Sequence, residues 1–464
     1  MVENRTLTPF KQGTFMPTLT VTSDCYLEEP GPELQRAIRD RLTIDNPKYI
    51  AARRYGRWIG KKLKPKLSYY QTADNGIRFP RGFTNQAITM CRQISGVEPL
   101  IIDQRRRLPE IDLSFKASLR DYQEVAVEQI CSRSFGVLEA GTGSGKTIMA
   151  LAAICQRKQP TIIIVHTKEL LYQWQERIRN FLGEEAGLIG DGKFDLKPIT
   201  VAIVNSARKK IEQLVHSFGH LIVDECHRVP AALFTDVVTH FDCYFLLGLS
   251  ATAFRSDEGM TRLIYYFMGD RVHRVDQMHL QVTGAVVKPR MIRNKTTFTY
   301  GYRGDYQALV TALTKHEGRN RQIADDIIAV VNERPDETVL VVSDRVSHCQ
   351  TFESLLAHQG FEVSLLTGQV SADKRSEIVE EVQNGKVQIL IATLQLISEG
   401  FDCPGLSTLF LTTPITFEGR LLQVIGRIMR PAENKTATVF DYVDDAIPTL
   451  RRSAAARQKV LSSL

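Results

Sequence analysis

Eight consecutive residues restrict this chain more than any others: Ala140-Gly141-Thr142-Gly143-Ser144-Gly145-Lys146-Thr147. They follow a short apolar run, Phe135-Gly136-Val137-Leu138, and precede a helix-forming run from Ile148 to Ile154. That order predicts a strand, a glycine-rich loop and a helix, which is the context a phosphate-cradling loop requires. Glycines let successive backbone N–H groups turn toward phosphate oxygens, and the start of the following helix adds its positive end. Lys146 is placed to reach the outer phosphates of a nucleoside triphosphate, and the Thr147 hydroxyl to ligate a magnesium ion. The general pattern begins with glycine; here that place is taken by Ala140.

The rest of the chain supplies the sheet that such a loop needs. From about Leu119, short apolar runs alternate with amphipathic stretches. Strands are predicted at 135–139, 161–165, 199–204, 220–223 and 244–249, and again at 338–342, 362–366, 387–391, 407–411 and 437–440. Helices are predicted between them, among them 168–182 and 372–383, with a terminal helix over 450–464. Continuous apolar strands separated by helices imply parallel sheets covered on both faces. Two such series imply two doubly wound α/β domains in tandem, over residues 111–280 and 281–464. Residues 1–110 lack the rhythm and are expected to form an accessory domain.

Charge separates the same regions. Residues 1–110 carry 19 Lys and Arg against 11 Asp and Glu, while the remainder carries 40 against 41. Nine of the basic residues lie between Arg41 and Lys66 with one acid, Asp45, and Tyr49, Tyr55 and Trp58 are interleaved. Arg53, Arg54, Arg57, Lys61 and Lys62 are therefore candidate contacts for a nucleic-acid backbone, with the aromatics available for stacking; a solvated basic face is the alternative. The eight cysteines include no C-x-x-C pair, so neither a zinc site nor an iron–sulfur cluster is indicated. No apolar run approaches the ~18 residues of a membrane span, and the first thirty residues do not read as a signal peptide. The expectation is an intracellular protein, cytoplasmic or nucleoid-associated, with no membrane partner.

A second chemistry-bearing segment is His220-Leu221-Ile222-Val223-Asp224-Glu225-Cys226-His227. An apolar strand ending in two carboxylates suits a magnesium–triphosphate site: Asp224 to hold the ion, Glu225 to deprotonate the attacking water. Asp224-Glu225-Cys226-His227 resembles the DExH box of superfamily 2 helicases, and further motifs follow in that family's order. Leu119-Arg120-Asp121-Tyr122-Gln123 resembles the adenine-reading element, with Gln123 on the adenine edge and Arg120 nearby. Gly248-Leu249-Ser250-Ala251-Thr252 resembles the coupling motif, so Ser250 and Thr252 would relay nucleotide state, together with His227. Gln423-Val424-Ile425-Gly426-Arg427-Ile428-Met429-Arg430 resembles the element that carries arginine fingers. Residues 423, 427 and 430 are expected on one helix face, with Pro431 ending the helix. Gln423, Arg427 and Arg430 would then join Lys146 and Glu225 in hydrolysis.

Loops after strands are expected to grip nucleic acid in the same pattern: Thr167 and Lys168, Asn205 and Ser206, Ser343 and Arg345, Thr367 and Gly368, and Thr393. In Thr393 to Asp402, Gly400 and Asp402 fall on the nucleotide side by the resemblance. The resemblance covers roughly residues 117–445 and is nearest to the XPB group and the phage UvsW-type remodellers. It implies two tandem RecA-like domains, ATP and Mg²⁺ as cofactors, and DNA, whether duplex, single-stranded or branched, as partner. The activity implied is an ATP-dependent helicase or translocase that remodels forks, junctions or bubbles in replication, recombination or repair. Two alternatives stay open at this point: an RNA helicase or RNA-sensing ATPase, and a nucleotide-bound scaffold without motor activity.

Overall fold

The structure is a computed structural model; it describes residues 16–54, 63–228, 232–251, 258–276, 280–281, 284, 286–398, 405–415, 418–430 and 435–462. Near the N-terminus, β1 (Thr18–Val21), β2 (Asp24–Glu28), β5 (Gln71–Ala73), β6 (Gly76–Pro80) and β7 (Leu100–Asp103) form a sheet in the order β5-β6-β2-β1-β7. A short pair, β3 (Thr43–Asp45) and β4 (Lys66–Ser68), stands apart from it. Burial alternates along β1 and β2, so Leu19, Val21, Cys25 and Leu27 share the covered face. The helix Pro32–Arg41 adds Leu34 and Ile38, one turn apart, to the same core.

The next sheet runs β11-β10-β12-β9-β13-β14-β8-β15. Its strands are β8 (Phe135–Glu139), β9 (Thr161–Val165), β10 (Gly187–Gly190), β11 (Lys193–Phe194), β12 (Ile199–Ile203), β13 (His220–Asp224), β14 (Phe245–Ser250) and β15 (Arg271–Arg274). The central pairs β12–β9, β9–β13 and β13–β14 are parallel, and every residue of β9 and β13 is buried. The third sheet runs β16-β21-β20-β17-β19-β18, parallel in each pair, from β16 (Arg290–Lys295), β17 (Thr338–Ser343), β18 (Val363–Leu366), β19 (Ile389–Thr393), β20 (Leu406–Leu411) and β21 (Thr438–Val443). Two mainly parallel sheets interleaved with helices, the first with an antiparallel edge pair β10–β11, are the tandem RecA-like α/β arrangement.

Chain-compact units cut across these sheets. One comprises residues 1–138, 150–166 and 178–273; the other comprises 139–149, 167–177 and 274–464. The N-terminal sheet is built into the first unit and not tethered beside it. A single apolar cluster contains Leu19, Ile38, Phe79 and Phe83 together with Val137, Ile164, Leu246 and Met268. Phe83 and Tyr69 pack edgewise on the helix Glu258–Met268 through Tyr266 and Phe267. The buried Arg81 guanidinium donates to the Cys243 carbonyl at 2.7 Å.

Helices 168–182 and 372–383 occur over the predicted residues. Strand ends differ by one to three residues: β12 stops at Ile203, where Val204 already opens a helix, and β21 runs on to Val443. No helix of the described residues is long and apolar enough to cross a membrane.

Candidate functional site

The glycine-rich loop takes the conformation its sequence demands. Gly143 and Gly145 have φ of +85° and +84°, which side-chain-bearing residues rarely adopt. Ser144 Oγ donates to the Gly141 carbonyl at 2.7 Å and closes the turn. Lys146 Nζ donates back to the Ala140 carbonyl at 3.0 Å, so its ammonium lies over the loop. Thr147 follows in the first turn of the helix Lys146–Arg157. Ala140 is fully buried and has no positive φ, which explains why glycine is not required at the opening position. Two positive-φ glycines, a cation over the loop and a hydroxyl in the first helical turn fit a triphosphate and a divalent ion.

The acidic strand end is equally specific. Asp224 closes β13, is buried, and accepts the Glu225 backbone N–H through Oδ1 at 2.9 Å. Glu225 itself has φ +51°, a left-handed conformation that costs about 1–3 kcal/mol and is kept only where surrounding structure enforces it. Its Oε2 lies 3.1 Å from His227 Nδ1, and the same nitrogen lies 3.2 Å from Ser250 Oγ. The carboxylate, the box histidine and the end of β14 therefore form one chain of contacts. Thr252, the other expected coupling residue, lies outside the described residues. Cys226 is buried against Gly248, where an added Cβ would lie 2.8 Å from the sulfur, so it serves packing.

One residue that sequence reasoning overlooked joins this group. His166, directly after β9, faces Glu225, His227 and Arg228; burial first, then Arg228, lowers its pKa to about 4. Neither ring nitrogen has a hydrogen-bond partner among the described residues. A histidine directly after the apolar run 162–165 was the signal available in the sequence.

Arg120 caps the helix Asp121–Cys131, and its backbone N–H donates to Gln123 Oε1 at 3.0 Å. Gln123 is buried and its amide donates to Tyr122 Oη at 3.3 Å, while Arg120 is exposed. The arginine-bearing helix spans Glu418–Ile428. Gln423 and Arg427 lie on it, but Arg430 lies two residues past its end; the expectation of three residues on one helical face is corrected. Arg427 is buried and donates through Nε to the Ile397 carbonyl at 3.0 Å. Burial, then Arg177, lowers the pKa of Arg430. In the second unit this helix packs on the phosphate loop: an added Cβ on Gly426 would lie 2.5 Å from Thr142 Cβ. Gly400 and Asp402 lie outside the described residues.

The expected nucleic-acid loops divide. Lys168 and Asn205 are exposed and Ser206 is half-buried, the last two within the helix Val204–Lys209 and not in a loop. Thr167 is half-buried and caps its helix, accepting the Leu170 N–H at 3.3 Å. Arg345 donates to Gln307 Oε1, and Gly368 is exposed. Ser343, Thr367 and Thr393 are buried. Ser343 Oγ is paired with His348 Nδ1 at 2.9 Å, so the structure does not bring it to a surface. On the helix Lys168–Leu182, Tyr172 is exposed while Trp174 is buried. Arg53 is exposed, and the side chains of Arg54, Arg57, Lys61 and Lys62 lie outside the described residues.

Comparison with known proteins agrees with this geometry. The family described as type III restriction enzyme, res subunit, matches residues 116–255, and the helicase conserved C-terminal domain matches residues 320–432. A putative helicase 161L of Invertebrate iridescent virus 6 is 30% identical, over 78% of this chain and 84% of its own. The DNA 3′-5′ translocase XPB2 of Sulfurisphaera tokodaii is 27% identical, over 78% and 89% respectively. The ATP-dependent DNA helicase uvsW of Enterobacteria phage T4 is 25% identical, over 86% and 84%.

Proposed function

From the premise that this chain belongs to the superfamily 2 DExH helicases and hydrolyses ATP, we propose that it is a DNA translocase that remodels forks, junctions or bubbles, moving 3′ to 5′ with Mg²⁺ as its ion. Support for DNA comes from relatives named for DNA translocation and unwinding that align over most of the chain. Support for motor activity over passive binding comes from one observation above all, the close packing of Gly426 on Thr142, which sets the helix bearing Arg427 against the phosphate loop.

In this reading the loop N–H groups and Lys146 hold the phosphates, while Gln123 and Arg120 meet the adenine. Thr147 and Asp224 hold Mg²⁺, which when bound neutralises charge on the outer phosphates. Glu225 accepts the proton of the attacking water; its enforced backbone conformation fixes where that carboxylate points. Arg427 and Arg430, with Gln423 beside them, steady the charge that grows on the transferred phosphoryl group. Movement of Glu225 then passes through His227 to Ser250 at the end of β14. Thr167, Lys168, Asn205, Ser206, Arg345 and Gly368 grip the DNA backbone without reading sequence. Mg²⁺ specifically, branched DNA as substrate and a nucleoid location are parts of the proposal.

The test compares ATP hydrolysis and strand displacement with single strands, blunt duplexes, forks, four-way junctions and RNA hybrids. The expected result is strongest stimulation and displacement with forks or junctions of DNA. Stimulation by RNA and not by DNA would overturn it in favour of an RNA helicase. Basal hydrolysis equal to that of a Glu225→Gln protein would overturn motor activity.

A further inference from the structure

We propose that a cleft between the N-terminal sheet and the helix Glu258–Met268 binds the phosphodiester backbone of a nucleic acid, at a place distinct from every contact considered above. The cleft holds about 440 Å³ and is lined by Arg41 from the first helix, Gln86, and Arg262, Asp270 and Arg271 from the motor side. A second cleft of about 410 Å³ shares Arg41, Gln86 and Asp270 with it, and continues along Asn85, Thr89 and Gln93. The shared residues join the two clefts into one trough.

Its chemistry selects an extended anion. Among the described residues, three guanidiniums and one carboxylate line the first cleft, and Asn85 donates its amide to that carboxylate, Asp270 Oδ2, at 3.0 Å. Beside them stand the amides of Asn85, Gln86 and Gln93 and the Thr89 hydroxyl, groups that contact phosphate and sugar without reading bases, with Tyr265, Tyr266 and Met90 completing the walls. Guanidiniums bind phosphate oxygens in pairs, with directional geometry that a solvated charge lacks. The wall is also fixed in place. Tyr266 Oη donates to the Arg41 carbonyl, and the Tyr266 ring packs edgewise on Phe83. Gly82 lies so close to the backbone of Tyr265, Tyr266 and Gly269 that an added Cβ would fall within 2.4 to 2.7 Å of it. All of these residues belong to one compact unit. A rigid, positive trough loses little entropy on binding a chain of phosphates.

The inference rests on the proposed DNA reading, so the experiment separates the two. A fluorescently labelled DNA fork is titrated with the full chain across a salt series, for wild type, the double variant Arg41→Gln with Arg271→Gln, and Gln86→Lys. Each phosphate contact contributes about 0.9 to the log–log salt slope. The double variant should have a slope shallower by about 1.8, equivalent to roughly 60-fold weaker binding at about 0.1 M salt when 1 M is taken as the reference. Gln86→Lys should steepen the slope by about 0.9, a change that misfolding does not mimic. ATP hydrolysis without nucleic acid should be the same in all three. Unchanged slopes in both variants, with wild type binding the fork, would overturn this site alone; failure of wild type to bind any DNA would overturn the proposed function with it. Inorganic phosphate that competes as strongly, phosphate for phosphate, as the fork would reduce the trough to a small-anion site. Displacement of the fork by polyglutamate that requires Arg41 and Arg271, without any slope change on DNA, would overturn the proposal in favour of an acidic protein.

Discussion

Gly82 is where the accessory sheet meets the motor most tightly, and replacing it with alanine is the sharpest test of that joint. An alanine Cβ would fall 2.4 Å from the Gly269 nitrogen, 2.4 Å from the Tyr265 carbonyl oxygen and 2.7 Å from the Tyr266 carbonyl oxygen. All three are backbone atoms at the end of the helix Glu258–Met268, so no side chain can rotate away. Either the short helical turn Arg81–Phe83 lifts, or the helix end shifts. Lifting the turn strains the Arg81 bond to Cys243 and unpacks Phe83 from Tyr266. Overpacking of one methyl costs about 1–3 kcal/mol, and three unyielding neighbours argue for the upper end. At roughly 2–4 °C per kcal/mol for a unit of this size, the melting temperature should fall by roughly 6–12 °C. Gly301, which has open space around its Cβ position and no positive φ, is the control: Gly301→Ala should change stability by less than about 0.5 kcal/mol. Thermal melts followed by circular dichroism decide the matter. A Gly82→Ala protein that melts with wild type would refute the tight joint and the packing argument built on it.

Lys146→Ala should abolish ATP hydrolysis, and Glu225→Gln should keep nucleotide binding while lowering turnover by about 10²–10⁴, read by steady-state phosphate release and nucleotide fluorescence. Arg427→Ala should lower turnover by about 10³ or more with nucleotide affinity little changed; equal losses in both would place the side chain in ground-state binding. Burial and Arg319 hold the His348 pKa down to about 3, and burial with Arg157 lowers that of His220. The unfolded chain takes up protons near pH ~6.5 that the folded chain refuses, so stability should be flat above about pH 7 and fall below it, by up to about 1.4 kcal/mol per pH unit per ring. His348→Gln should remove one ring's share of that slope in urea melts; an unaltered slope would show that the ring is not kept neutral.

Much of this architecture was legible because burial on both faces writes itself into sequence. Thr161–Val165, His220–Asp224 and Thr338–Ser343 are buried along their whole length, and runs of that kind have few other readings. The helix Lys168–Leu182 was legible from Leu171, Trp174, Ile178 and Leu182, which fall on one face. The N-terminal sheet was not, because its strands are three to five residues long and two of its four pairings, β2–β6 and β1–β7, join segments far apart in the chain. Its union with the motor was hidden too, since no local pattern says that Phe83 and Tyr266 will meet. In the site, chemistry was readable and geometry was not. Motif order pointed to Lys146, Asp224 and Glu225, but the left-handed backbone at Glu225 and the position of Arg430 beyond its helix depend on tertiary packing. Ser343 looked like a strand-end hydroxyl open to a ligand; a buried His348 one helical turn away takes it up.

The shared core of residues 16–103 and the motor sheet has a practical corollary. Excising the first 110 residues would strip cover from Val137, Ile164 and Met268, so a truncation experiment would report damage and not function. Hydrogen exchange should find both sheets protected as a single cooperative block. Anyone wishing to transplant this module onto another engine would have to carry the helix Glu258–Met268 across with it.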